Sequence, residues 1–262
     1  MKAAVAALLA VLGASEPAQA RPLRIMALDQ CADQYVLALR PDADVILSPR
    51  ADDPDSWMRE AARGRRQLRP TLEAATLARP DVVVRYWGGD ARLLAAVERG
   101  GARTASIQDA NDFEGVRANL RVIGRALDAL ERAEALISRM DRRLAQAGQA
   151  APRTALYLTP GGFTAGKGTL IDAMMRAARL TNLAAAPGFT PVSVERLVLA
   201  PPAAFILGFY DQIRADWRGP GRHPVLRAAA QGRVAARIPA AALTCPAWFA
   251  ADAAAMMTET AR

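Results

Sequence analysis

Two kinds of hydrophobic patterning alternate along this chain. Short, nearly continuous apolar runs at 24–27, 45–47, 82–86 and 104–107 read as strands buried on both faces. Between them, 33–39, 72–77 and 91–98 carry apolar residues three and four apart, the spacing of amphipathic helices. Residues 48–56 read as a loop, 57–63 as a helical turn, and Gly88-Gly89-Asp90 as a turn. The alternation returns with strands at 155–158, 204–207 and 234–238, and helices at 170–178, 194–199, 225–230 and 247–260. This order predicts an α/β fold with parallel sheets.

The middle of the chain differs. From Phe113 to Ala147 there is no proline, and Leu120, Ile123, Leu127, Leu130, Ala133, Leu136, Ile137, Met140 and Leu144 keep a helical period. Asp112 or Asn111 caps the start. The pattern predicts one rigid helix of roughly 34 residues, about 50 Å long. It divides the chain into an N-terminal lobe at 21–112, an interlobe helix at 113–147 and a C-terminal lobe at 148–262.

A phrase repeats across that divide. Glu73 on a short helix is followed by Pro80 and the apolar strand Val82-Val83-Val84. Glu195 on a short helix is followed by Pro202 and the strand Phe205-Ile206-Leu207. Each Glu stands seven residues before its proline. A duplicated helix–Pro–strand unit predicts two similar lobes, each with one acid at an equivalent place. A cleft between lobes suits a binding protein better than a single-site enzyme.

The N-terminus changes the compartment. Lys2 precedes an apolar run at 3–13, and Ala18-Gln19-Ala20 follows. At about 11 residues the run is too short to span a bilayer. Read as a signal peptide over 1–20, cleaved after Ala20, it sends the chain to a periplasm; a buried N-terminal helix is the alternative. No cysteine stands at the cleavage point for a lipid anchor. The 52% hydrophobic content fits a globular chain. A net charge of +8 opens the nucleic-acid reading, but the arginines are scattered and form no run of five. Solubility, or attraction to an anionic ligand or surface, is the simpler account. Cys31 and Cys245 are the two cysteines. In an oxidising compartment they form a disulfide or remain separate thiols.

Candidate chemistry is sparse. Gly161-Gly162-Phe163-Thr164-Ala165-Gly166-Lys167-Gly168-Thr169 nearly matches a phosphate-binding loop between a strand and a helix. Gly168 stands where a Mg²⁺-binding Ser or Thr is required. An exported phosphate or nucleotide hydrolase using this loop is the enzyme alternative. His223, the one histidine, precedes Pro224 and reads as structural. No metal site or catalytic constellation follows from spacing, and no cofactor is expected. Aromatics do cluster in loops after predicted strands: Trp57, Tyr86, Trp87, Phe163, Phe209, Tyr210 and Trp248. In open α/β sheets that is where ligands bind, and aromatics there suit a large ligand with flat faces. Arg50, Thr164, Lys167 and Arg214 are the polar candidates.

These residues carry a resemblance. Leu72-Glu73 through Val82-Val83-Val84, then Tyr86-Trp87-Gly88-Gly89-Asp90, resemble the periplasmic cobalamin and iron-siderophore binding proteins of ABC importers, the class with a single long interlobe helix. So do Phe163 through Lys167, Leu180 through Leu183, and Pro191 through Leu197. The likeness covers nearly all of the mature chain and is strongest to cobalamin binders. It implies two Rossmann-like lobes with a ligand between them, touched by Tyr86 or Trp87, by Phe163 and by Tyr210. It implies that Glu73 and Glu195 dock onto arginines of a dimeric membrane permease with its ATPase. The expected protein is a monomeric, non-enzymatic carrier of a metal chelate, a corrinoid before a ferric siderophore or heme. Three features depart from that pattern: Pro201-Pro202 stands in place of Pro-Asp, residues 240–248 lack charged ligand contacts, and Cys31 is not a general family feature.

Overall fold

Val82, Val83 and Val84 are all fully buried, as a central parallel strand requires. A computed structural model describes residues 21–184, 186–212 and 218–258. The predicted signal peptide, Arg214 and Trp217 lie outside the described residues. In the N-terminal lobe, β1 (Arg24–Ala27), β2 (Asp44–Ile46), β3 (Val82–Arg85) and β4 (Arg103–Ser106) form one parallel sheet in the order β2-β1-β3-β4. Its helices are α1 (Gln30–Leu39), α2 (Arg59–Ala62), α3 (Leu72–Ala78) and α4 (Ala91–Arg99).

The C-terminal lobe repeats this plan. β5 (Arg153–Leu158), β7 (Leu180–Asn182), β9 (Phe205–Gly208) and β10 (Val234–Ile238) pair in parallel in the order β7-β5-β9-β10. Read in chain order within each lobe, both sheets run second-first-third-fourth. The duplicated phrase therefore occupies the same position twice: α3 leads into β3, and α8 (Val194–Leu199) leads into β9. The C-terminal lobe adds an antiparallel ribbon of β6 (Phe163–Ala165) and β8 (Phe189–Pro191). It is completed by α7 (Leu170–Ala177), α9 (Pro224–Ala230) and α10 (Ala250–Met256).

The single rod expected over 113–147 is instead a hairpin of two helices, α5 (Phe113–Ala126) and α6 (Leu130–Ala147). Asp112 caps α5, accepting the Gly115 N–H at 2.9 Å. Asp128 then adopts the left-handed region at φ 53°, and the Ala129 N–H reaches back to the Gly124 carbonyl at 2.8 Å. That six-to-one closure is a helix-ending turn in which Asp occupies the place usual for Gly. Gly124 allows the close approach, because a Cβ there would lie 2.7 Å from the Ala133 Cβ. Arg121 pairs with Glu134 at 2.8 Å and Arg117 with Asp141, so the helices run antiparallel. The apolar stripe is continuous in sequence because both halves turn it toward the same core.

That core is continuous through both lobes and the hairpin. The C-terminal segment crosses between the lobes. Cys245 is bonded to Cys31 of α1, with Cα atoms 5.5 Å apart. The Tyr35 hydroxyl donates to the Pro246 carbonyl at 2.6 Å. Trp57 stacks on Phe249 at 5.1 Å between ring centroids, and Trp248 packs edge-on against Tyr35 at 5.6 Å. Among the described residues no helix is long and apolar enough to cross a membrane.

Candidate functional site

The site begins with a capping residue. One carboxylate oxygen of Asp29 accepts the Cys31 and Ala32 N–H groups at 3.1 and 2.9 Å, which starts α1. The other accepts three consecutive N–H groups, from Tyr86, Trp87 and Gly88, at 2.7, 3.0 and 2.9 Å. One buried anion thus holds the loop that leaves the carboxyl end of β3. Gly88 is required there, since a Cβ would stand 2.3 Å from the Leu28 carbonyl oxygen.

Tyr86 points from this loop into a cavity of about 420 Å³ between the lobes. Its hydroxyl donates to Asp109, which follows β4. Burial first, and then the Asp109 acceptor and charge, push the phenol up to about 12. Asn111 shares this wall. The C-terminal lobe contributes Thr169, Leu170, Phe189 and Phe209, and the disulfide segment adds Leu243, Thr244, Cys245 and Pro246. The chamber therefore has an apolar, aromatic wall facing a phenol, a carboxylate and an amide.

Of the expected site residues, Tyr86 lines this cavity. Trp87 follows it in the same loop and is 65% exposed. Phe163 is exposed on the ribbon, where strand alternation puts it on the same face as Phe189. Thr164 faces the other way: it is buried on the opposite face of β6 beside Thr190, lining a separate hollow. Lys167 is exposed in the turn after β6, where its carbonyl accepts the Gly188 N–H at 3.0 Å. The phosphate-loop reading of 161–169 gives way to this strand and turn, which are built by pairing with residues 189–191.

Three aromatic expectations are corrected by packing. Trp248 is 3% exposed within the core, and Trp57 is engaged by Phe249. Tyr210 turns away from the chamber: its hydroxyl donates to the Gly221 carbonyl at 2.9 Å, and the Arg222 guanidinium lies 5.1 Å from its ring. His223 accepts the Val225 N–H through Nδ1 at 3.3 Å, at the start of α9. Asp109 and Phe189 were not foreseen. Asp109 carried a signal, lying just beyond the carboxyl end of a strand. Phe189 carried none, because β8 is visible only through its pairing with β6.

Comparison with known proteins agrees with this architecture. A family profile described as Periplasmic binding protein matches residues 26–240. No curated protein sequence matches significantly. Among solved structures, the chain shares its fold with the periplasmic heme-binding protein RhuT from Roseiflexus sp. RS-1 (TM-score 0.69, 21% identity, 90% of this chain and 97% of that chain covered). It also resembles the periplasmic heme-binding protein HutB of Vibrio cholerae (TM-score 0.68, 14% identity, 88% and 96%). A third similar structure is the periplasmic vitamin B12 binding protein BtuF of Vibrio cholerae (TM-score 0.63, 17% identity, 90% and 95%). With a family match spanning most of its length, the chain belongs to the periplasmic binding proteins, the substrate-binding components of ABC importers rather than enzymes.

Proposed function

We propose that this protein captures a ferric tetrapyrrole, heme, in the interlobe chamber and delivers it to a membrane permease. The observation that carries the reading is the Tyr86 phenol, on a loop whose backbone Asp29 holds, donating to Asp109 inside an aromatic-lined cavity. A phenolate oxygen is an established protein ligand for heme iron. On coordination the phenol would give up the proton that it donates to Asp109, and the iron would gain an anionic oxygen ligand. Phe189 and Phe209 offer ring faces to a flat macrocycle. The likeness to RhuT and HutB, both named as heme-binding, supports heme over the corrinoid expected from sequence. Mature protein beginning at Arg21 acts in the periplasm as a monomer, with Glu73 and Glu195 facing the permease and its ATPase.

Titration with hemin, cyanocobalamin and a ferric hydroxamate siderophore tests this reading, followed by visible absorbance and thermal shift. Hemin at 100 times its Kd raises stability by about 2.7 kcal/mol. Tyr86→Phe removes the tyrosinate-to-iron absorbance and weakens hemin binding about a hundredfold. A thermal response to cyanocobalamin or the siderophore, with none to hemin, would refute the heme assignment.

A further inference from the structure

Each of the two duplicated helices exposes more than its acid. Leu77 stands four residues after Glu73 and is 82% exposed; Leu199 stands four residues after Glu195 and is 85% exposed. Residues four apart share a helix face, so each lobe presents one carboxylate and one leucine side by side. A single exposed leucine carries no information, since much of any protein surface is apolar. Two at equivalent places, each beside an acid, in lobes whose sheets have the same strand order, are a repeated device. Local architecture supports both copies. Thr71 and Ser193 cap the helices through the N–H groups of Ala74 and Arg196 at 3.2 Å each. Each helix runs back to the start of the strand that follows it, so its first turn lies toward the carboxyl ends of the strands, where the cleft opens. Beside Glu195, Val194, Val198, Leu199, Pro220 and Val225 line a mostly apolar groove of about 680 Å³, with Arg218 and His223 at its polar part.

We infer that Leu77 and Leu199 are the apolar anchors of the docking surface, each inserting into a hydrophobic pocket beside an arginine on one of two symmetry-related permease subunits. This inference rests on the importer reading and adds to it the source of the binding energy. Among the described residues neither Glu73 nor Glu195 forms an ion pair, and on a chain of net charge +8 two such exposed carboxylates suit cationic partners. Exposed ion pairs mainly steer association and fix register. Affinity comes from buried anchors, which form the centre of such interfaces. The occupant is a two-fold partner because the acid–leucine pair occurs twice, once in each lobe.

The test uses full-length mature protein loaded with hemin and the permease–ATPase complex of the source cell whose ATP hydrolysis it stimulates, held in nanodiscs. Leu77→Ser and Leu199→Ser each raise the Kd for that complex about tenfold, and together about a hundredfold. Hemin affinity and the far-ultraviolet circular dichroism stay at wild-type values, and Leu77→Met restores binding. Serine variants that bind as wild type, while Glu73→Gln and Glu195→Gln weaken binding, overturn the inference and leave the importer reading standing. A wild-type protein that stimulates no permease complex overturns both. A wild-type dimer in sedimentation velocity that Leu77→Ser dissolves assigns the leucines to self-association and also overturns the inference.

Discussion

Asp29 accepts the backbone N–H of Tyr86 at 2.7 Å across 57 residues of sequence. The same side chain caps α1 two residues before the lobe-joining Cys31, so the cleft loop and the interlobe bridge share an anchor. Replacing it by Asn keeps the size but turns an amide toward donors that need an acceptor. Asp29→Asn should lower the unfolding free energy by about 3 kcal/mol, because buried N–H groups lose a charged acceptor. Hemin affinity should fall with it, since the phenol is no longer fixed. Urea unfolding and hemin titration check this; a variant of wild-type stability and affinity refutes the anchoring role.

The Cys31–Cys245 bond closes a separation of 214 residues, and its Cys245 end lines the cavity. Chain-entropy arguments put such a closure at about 5 kcal/mol, and native bridges commonly contribute 2–5. Reduction, or the paired change of Cys31→Ser and Cys245→Ser, should lower the unfolding free energy by about 2–5 kcal/mol. Hemin affinity should also drop, because the cavity-lining segment 243–246 is then held to the N-terminal lobe by noncovalent contacts alone. Equal denaturant midpoints with and without reductant would show that the noncovalent contacts of Tyr35, Trp57, Trp248 and Phe249 suffice to join the lobes.

At Gly124, helix propensity and packing oppose each other. Alanine in a helix interior is favoured over glycine by about 1 kcal/mol. The new methyl would sit 2.7 Å from the Ala133 Cβ and 3.4 Å from the Leu130 Cα, neither of which is the end of a flexible side chain. Overpacking of that kind costs about 1–3 kcal/mol, so Gly124→Ala should be net destabilising. Gly148→Ala provides the control: its nearest contact is an ordinary 3.5 Å, and it should be neutral or stabilising. Urea midpoints for the pair decide the matter, and a stabilised Gly124→Ala would mean that the hairpin does not pack this closely in solution.

The hairpin shows where sequence reading stops. The parallel sheets were legible because strands buried on both faces spell continuous apolar runs, as at Val82-Val83-Val84, and the repeated Glu–Pro–strand phrase exposed the duplication. The turn at Asp128 was not, because no Pro stands there, Gly124 lies within the helix before it, and the helical period persists through it. The ribbon was hidden for another reason: residues 163–165 become a strand only by pairing with 189–191, and alone they read as a glycine-rich loop. Trp57 and Trp248 follow strands, as ligand-binding aromatics do, yet a crossing of the C-terminal segment puts them to work in the core. Asp29 is identifiable as a cap from its neighbours, but the second half of its role lies at residues 86–88.

Asp33 provides a pH-dependent signature of the folded state. Its carboxyl is buried on α1, accepting the Ser48 N–H at 2.9 Å and the Ser48 hydroxyl. Burial pushes its pKa from the ordinary 3.8 up to about 7, against the two Ser48 hydrogen bonds and with a further push from the Asp29 charge. Between those values the unfolded chain has lost the proton and the folded chain keeps it, so the native state binds more protons. Stability contributed by this group is full below about pH 4 and declines as pH rises toward 7, by at most about 1.4 kcal/mol per pH unit. Asp33→Asn removes the titration while its amide still accepts from the Ser48 N–H and donates to the Ser48 hydroxyl oxygen. Urea midpoints at pH 4, 5.5 and 7.5 should therefore show the variant near wild type at the lowest pH and more stable at the highest. Other carboxylates titrate in both proteins and cancel in the difference. A difference that stays constant across the three pH values would mean that Asp33 does not hold its proton in the native state.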